Sequence, residues 1–132
     1  MINPLNLRLA GRELQYILAD SGTTVAFVDA VFAEHFARNI AEVRAELPLR
    51  HVVLIGDGDL PHDIRYDDLV AAGEPVVPAE PDEDDPVVLM YTGGTTGLSK
   101  GALLTQRAEM LNLYHIGLAL GFGDERVYLH QT

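Results

Sequence analysis

The sequence predicts an α/β fold, mainly a parallel sheet with flanking helices. Two observations carry this reading. Short runs rich in β-branched residues alternate with stretches of helical periodicity. The alternation continues on both sides of an acidic, proline-rich connector. A third observation bears on function: one strand runs directly into a Gly/Thr loop followed by Lys100, the only lysine of the chain.

Taken in order, Leu14, Ile17 and Leu18 recur at i, i+3 and i+4 and predict a helix over Arg12 to Asp20. Ala10-Gly11 at its start supply neither a capping side chain nor a proline, so this start is expected to fray. Ser21-Gly22 end it, with Gly22 as the C-terminal cap. Thr23 to Val28 (TTVAFV) reads as a buried strand, and Asp29 can cap the next helix. In that helix Phe32, Phe36, Ile40, Val43 and Leu47 form one stripe that Pro48 stops. His51 to Ile55 (HVVLI) is a second buried strand, followed by turn chemistry at Gly56-Asp57-Gly58-Asp59 and a short helix over Tyr66 to Ala72.

From Glu74 to Asp85 there are six acids, with Pro75, Pro78 and Pro81 among them. Such a stretch can be neither helix nor inner strand, and reads as a solvated connector. Beyond it, Pro86 to Tyr91 (PVVLMY) predicts a strand, Ala102 to Leu104 a further short strand, and Gln106 to Leu120 a helix between Thr105 as cap and Gly121 as stop. Leu111, Leu113, Ile116, Leu118 and Leu120 leave that helix little polar face, so burial on most sides is expected. Arg126 to His130 reads as a last strand.

The 132 residues suit one ordinary domain, and 48% hydrophobic content can form a core. No apolar run approaches the roughly 18 residues of a membrane-spanning helix, and the first residues do not read as a secretion signal. Cysteine is absent, which excludes disulfides and thiolate metal sites and fits a cytoplasmic protein. A net charge of −11 argues against a basic nucleic-acid-binding face. The five histidines show no metal-ligand spacing. His115, on the apolar helix, reads as a core or interface residue, and Asp67-Asp68 as a solvated pair.

The loop Thr92-Gly93-Gly94-Thr95-Thr96-Gly97 has the residue types that polyphosphate binding needs. Glycines allow close approach of the backbone, and successive N–H groups make an anion-binding concavity. Threonine hydroxyls can donate to phosphate or ligate Mg²⁺, and Lys100 adds a point charge. The spacing is not that of a Walker loop: from Gly94 the second glycine falls on Ser99, and from Gly93 on Leu98. The dinucleotide pattern fails too, because Gly93 and Gly94 are adjacent.

The stretch Tyr91-Thr92-Gly93-Gly94-Thr95-Thr96-Gly97-Leu98-Ser99-Lys100-Gly101 instead resembles the phosphate-loop signature of the adenylate-forming superfamily, which includes acyl-CoA synthetases. Upstream, Pro4, Asn6, Arg8 and Leu9, then Glu13-Leu14, Tyr16-Ile17-Leu18 and Asp20-Ser21-Gly22, resemble a second segment of the same family. The family's Thr-Pro helix start is replaced by Ala10-Gly11, and Ser99 stands where proline is commonest.

The resemblance implies an enzyme that uses ATP and Mg²⁺ to activate a carboxylic acid as its acyl-adenylate, then passes the acyl group to coenzyme A. It implies phosphate contacts from Thr92, Gly93, Gly94, Thr95, Thr96 and Gly97, a Mg²⁺ ligand in Thr95, and a catalytic Lys100 acting on the leaving pyrophosphate. The wording GGTTGLSKGALLT resembles fatty acid–CoA ligases most. The alternatives are a non-catalytic nucleotide-binding module and an adenylation domain loading a carrier-protein thiol. Both chain ends read as cut. The chain is therefore expected to be part of a larger N-terminal domain, without the C-terminal one. Within it, 1–73 would be an α/β segment, 74–85 a connector and 86–132 the phosphate-loop segment.

Overall fold

A computed structural model describes residues 1–6, 8–59, 61–78, 80–93 and 97–121. Helix α1 spans Gly11–Asp20 and buries Leu14, Ile17 and Leu18. Its N-terminus does not depend on a capping side chain. The Glu13 carboxylate reaches back to accept from the Ala10 N–H at 2.9 Å, the return half of a capping box. Gly11 leaves room for Asn39, whose amide oxygen would lie 2.2 Å from an added Cβ. The departure at Ala10-Gly11 is thus matched by a local contact from Glu13 and by the distant Asn39. At the other end the Gly22 N–H donates to Ala19 and the Thr23 N–H to Leu18, the paired bonds of a Schellman stop.

Strand β1 (Val25–Asp29) follows. The Asp29 carboxylate accepts from the Val31 N–H at 2.9 Å, capping a 3₁₀ turn over Ala30–Phe32 that leads into α2 (Ala33–Ile40). The expected helix through Leu47 is shorter. It ends at Ile40, and a separate 3₁₀ turn covers Arg44–Glu46. Leu47, before Pro48, is extended with φ −88° and ψ 152°, as a residue preceding proline must be. The chain tightens ahead of it.

Strand β2 (His51–Ile55) pairs parallel with β1, Val25 opposite His51 through Asp29 opposite Ile55. A two-residue strand β3 (Ile64–Arg65) adds in parallel to β2, and α3 (Tyr66–Ala72) follows directly. The short β3 lacked a sequence signal, since two residues show no period. Ala26, Val28, Val52 and Leu54 on one sheet face pack with Leu14 and Leu18 of α1 and Ala33, Phe36 and Ile40 of α2. On the other face Phe27 meets Tyr66 edge-on. Strand β1 was expected to be buried on both faces. It is half-buried, with Phe27 56% exposed.

Neither helix nor strand covers the described residues from Gly73 to Asp85. The described residues of the acidic stretch are all exposed, and two of them make surface ion pairs. Arg107 pairs with Glu83 at 2.7 Å and Asp84 at 3.0 Å. Strand β4 (Pro86–Thr92) then pairs antiparallel with β5 (Lys100–Thr105). The second sheet is therefore a hairpin and not an extension of the parallel sheet. Ile2 bridges to β4 in parallel: its N–H donates to Val87 and its carbonyl accepts from Leu89, each at 2.8 Å.

Helix α4 (Gln106–Leu120) begins at Thr105, whose hydroxyl accepts from the Ala108 N–H, and stops at Gly121. Its expected burial is not seen. Leu111, Leu113, Ile116, Leu118 and Leu120 are exposed and only Gly117 is buried. His115 is exposed as well, so it is not a core residue. No helix among the described residues is long and apolar enough to cross a membrane. The predicted strand Arg126–His130 lies outside the described residues.

Asp63 ties the first layer together. Its carboxylate accepts from the Val52 N–H at 2.7 Å and pairs with Arg44. The Val52 N–H, and secondarily Arg44, hold this carboxyl below its usual range against the opposing effect of burial. A depressed carboxyl stabilises the fold above its unfolded pKa, near 4, and loses that effect as pH falls through the folded value. Asp63→Ala should therefore cost about 1 kcal/mol at neutral pH, a figure discounted for solvent screening. The gap from the parent should narrow as pH falls through the depressed folded value. Denaturant midpoints measured from neutral pH down into the acid range check this.

Candidate phosphate-binding site

The hairpin geometry decides which groups surround the loop. In an antiparallel pair, directly opposed residues share a face and successive residues alternate. The register sets Thr92 opposite Lys100 and Tyr91 opposite Gly101. Thr92 and Lys100 therefore leave the hairpin on one face, and Tyr91 leaves on the other with Leu89. The Thr92 hydroxyl donates to the Lys100 carbonyl at 3.4 Å, so the base of the loop is closed between the last residue of β4 and the first of β5.

Thr92, Gly93, Gly97 and Lys100 are all exposed. Among the described residues, an added Cβ at Gly93 or Gly97 would meet nothing within 4 Å. Packing among the described residues does not require glycine at these positions. Two open glycines beside a hydroxyl and an ammonium fit an anionic group that approaches the backbone closely. Gly94, Thr95 and Thr96 lie outside the described residues.

Gly101 is a different kind of glycine. A Cβ there would come within 2.8 Å of Leu89 Cδ1 and 3.2 Å of the Tyr91 ring. The Tyr91 ring covers the glycine, as aromatic residues do across a strand pair. Its hydroxyl donates to Asp20 Oδ2 at 2.6 Å, and its ring meets Tyr16 edge-on with centroids 6.4 Å apart. Burial, then the hydrogen bond and charge of Asp20, push the Tyr91 hydroxyl up to about 12. It remains a donor at neutral pH. Sequence reasoning gave Tyr91, Gly101 and Asp20 no separate roles, because the Tyr91–Asp20 contact joins residues 71 apart. The two segments that carried the family resemblance meet here.

An open, largely apolar cavity of about 720 Å³ lies between the N-terminal residues, α1 and β1, lined by Ile2, Leu5, Leu9, Phe27 and Phe36 among others. Of the described loop residues, Thr92, Gly93, Gly97 and Lys100 do not line it.

Comparison with known proteins gives the chain a family and a set of relatives. The family model described as AMP-binding enzyme matches residues 1–132. Medium-chain acyl-CoA ligase Mig of Mycobacterium avium is 36% identical over 107 residues, covering 77% of this chain and 19% of that protein. Indoleacetate–CoA ligase of Aromatoleum aromaticum is 38% identical over 113 residues, covering 83% of this chain and 21% of that protein. Among solved structures, the anthranilate CoA ligase AuaEII in complex with anthranoyl-AMP matches with a TM-score of 0.76 at 28% identity, over 88% of this chain and 22% of that one. The chain spans about a fifth of the length of the relatives it matches.

The two kinds of glycine give opposite expectations. Gly101→Val should destabilise the protein by about 1–3 kcal/mol through overpacking against Leu89 and Tyr91. Gly97→Ala should leave stability unchanged or raise it by up to about 1 kcal/mol, while weakening nucleotide binding. Thermal melts with and without ATP separate the two: Gly101→Val lowers the melting point in both, and Gly97→Ala loses only the shift caused by ATP.

Proposed function

Because this chain belongs to the AMP-binding enzyme family, we propose that it is the phosphate-loop segment of an ATP-dependent, AMP-forming acid–CoA ligase. What supports the reading is the pairing of Thr92 with Lys100 across a loop whose glycines 93 and 97 meet nothing among the described residues. In the proposed reaction a substrate carboxylate attacks the α-phosphate of ATP, and the bond to the β-phosphate breaks. The products are acyl-adenylate and pyrophosphate. Coenzyme A sulfur then attacks the acyl carbon and AMP leaves. A fatty acid is the proposed acid, on the loop wording GGTTGLSKGALLT. The acids in the relatives' names differ, which suits a segment that holds phosphate and leaves acid choice to other residues.

The roles follow from the chemistry of each group. Thr92 and the backbone N–H groups of 93–97 would hold the β- and γ-phosphates. Thr95 would ligate Mg²⁺, which when bound neutralises phosphate charge. Lys100 would stabilise the negative charge that grows on departing pyrophosphate, an effect stronger in the transition state than in the ground state.

In the full-length protein, AMP and pyrophosphate should appear only when a carboxylic acid is supplied, with fatty acids giving the fastest release. An assay across short, medium and long fatty acids and aryl acids checks this. ADP as the nucleotide product would sink the mechanism, and nucleotide binding without any AMP would favour a non-catalytic module. Lys100→Ala should lower the adenylation rate by roughly 30- to 1000-fold, about 2–4 kcal/mol, with a smaller effect on ATP binding. Thiol transfer from supplied acyl-adenylate should be nearly unchanged, since no pyrophosphate leaves in that step. Equal loss in both half-reactions would assign Lys100 to folding instead.

A further inference from the structure

We propose that Tyr91 is a positioning residue, whose hydroxyl bond to Asp20 fixes the loop end of the β4–β5 hairpin against the C-terminal end of α1. Its kinetic consequence rests on the function proposed above. The anchor itself rests on geometry.

Asp20 is the last residue of α1, whose final turn holds no basic residue. A carboxylate there is opposed by the helix dipole, so local helix stability does not explain it. Its tertiary partner does. The Tyr91 hydroxyl lies 2.6 Å from Oδ2, the short distance of a hydrogen bond to an ionised acceptor. A residue that breaks a local rule and gains a distant contact is where a fold commits itself to function. Tyr16 lies four residues before Asp20, on the same helix face, and its ring abuts Tyr91. One helix face thus holds the tyrosine at two points, its ring and its hydroxyl.

The position of this clamp matters. A backbone tie of the hairpin, from Ile2, bonds at Val87 and Leu89, farther from the loop. Tyr91 is adjacent to Thr92 and opposite Gly101, itself adjacent to Lys100. Because side chains alternate across the strand, Tyr91 can grip α1 on one face while Thr92 and Lys100 remain open on the other. Releasing the hydroxyl would let the loop end pivot about the Ile2 tie. Displacements of this size matter: about 1 Å of misplacement can cost on the order of 100-fold in rate.

The test uses the full-length protein. Tyr91→Phe keeps the ring over Gly101 and removes only the hydroxyl. Adenylation should slow by about 10-fold while thiol transfer from supplied acyl-adenylate stays within about twofold. Asp20→Asn should match it, and the double variant should be no worse than either single change, the mark of two groups in one interaction. Amide hydrogen exchange should quicken in the described parts of the hairpin, 86–93 and 97–105, and stay unchanged in β1 and β2.

Unchanged exchange in Tyr91→Phe overturns the proposal. So does a double variant whose loss is the product of the two singles, or faster exchange throughout the protein with both half-reactions falling together. If the parent protein forms no acid-dependent AMP, it is the functional proposal that fails, and the exchange comparison alone decides the anchor.

Discussion

A β-hairpin has a side-chain period of two, and the candidate site depends on where that period falls. Thr92 stands opposite Lys100, so the hydroxyl and the ammonium emerge together. A one-residue slip of β5 would move Lys100 to the face that packs on α1 and remove it from the loop. The register has its own lock. A Cβ at 101 would crowd the Tyr91 ring at 3.2 Å, and that ring is held from the far side by Tyr16 and Asp20. The face of the candidate site is defined by packing on the opposite face.

That packing requires α1 to be fixed in turn. The Schellman bonds at Gly22 turn the chain from α1 toward β1, and Leu14 and Leu18 are buried with the sheet residues Ala26, Val28, Val52 and Leu54. The hydrophobic core therefore supports the loop indirectly, through one helix. The sheet itself carries none of the candidate phosphate ligands.

Electrostatics adds a second constraint. A chain with net charge −11 is a poor host for a polyphosphate. The densest acids stand just before Pro86, at the open end of the hairpin, where Glu83 and Asp84 pair with Arg107. The loop is at the closed end. Strand β4 has seven residues, so the two ends lie roughly 20 Å apart at the ordinary rise of a strand. That is more than two Debye lengths of about 8 Å at physiological ionic strength. The hairpin separates the like charges that the sequence places close together.

Elements whose cause is local were legible in the sequence. Strand β2 and helix α3 have the bounds that β-branched content and flanking turn residues indicate, and the caps at Asp29 and Thr105 and the stops at Gly22 and Gly121 follow from side-chain and backbone chemistry within a few residues. The loop was legible for the same reason: its glycines, threonines and lysine are contiguous. What depended on distant partners was not. The length of α2, the two-residue β3, the antiparallel pairing of β5 and the exposure of α4 are set by what lies across from them, and no local period reports that. The Tyr91–Asp20 contact is the clearest instance. By itself the sequence determined which hydroxyls, glycines and lysine stand together in the loop proposed to hold phosphate. Tertiary structure decided that Thr92 and Lys100 share a face and that α1 braces the other, because strand register and helix docking join residues that the chain keeps apart.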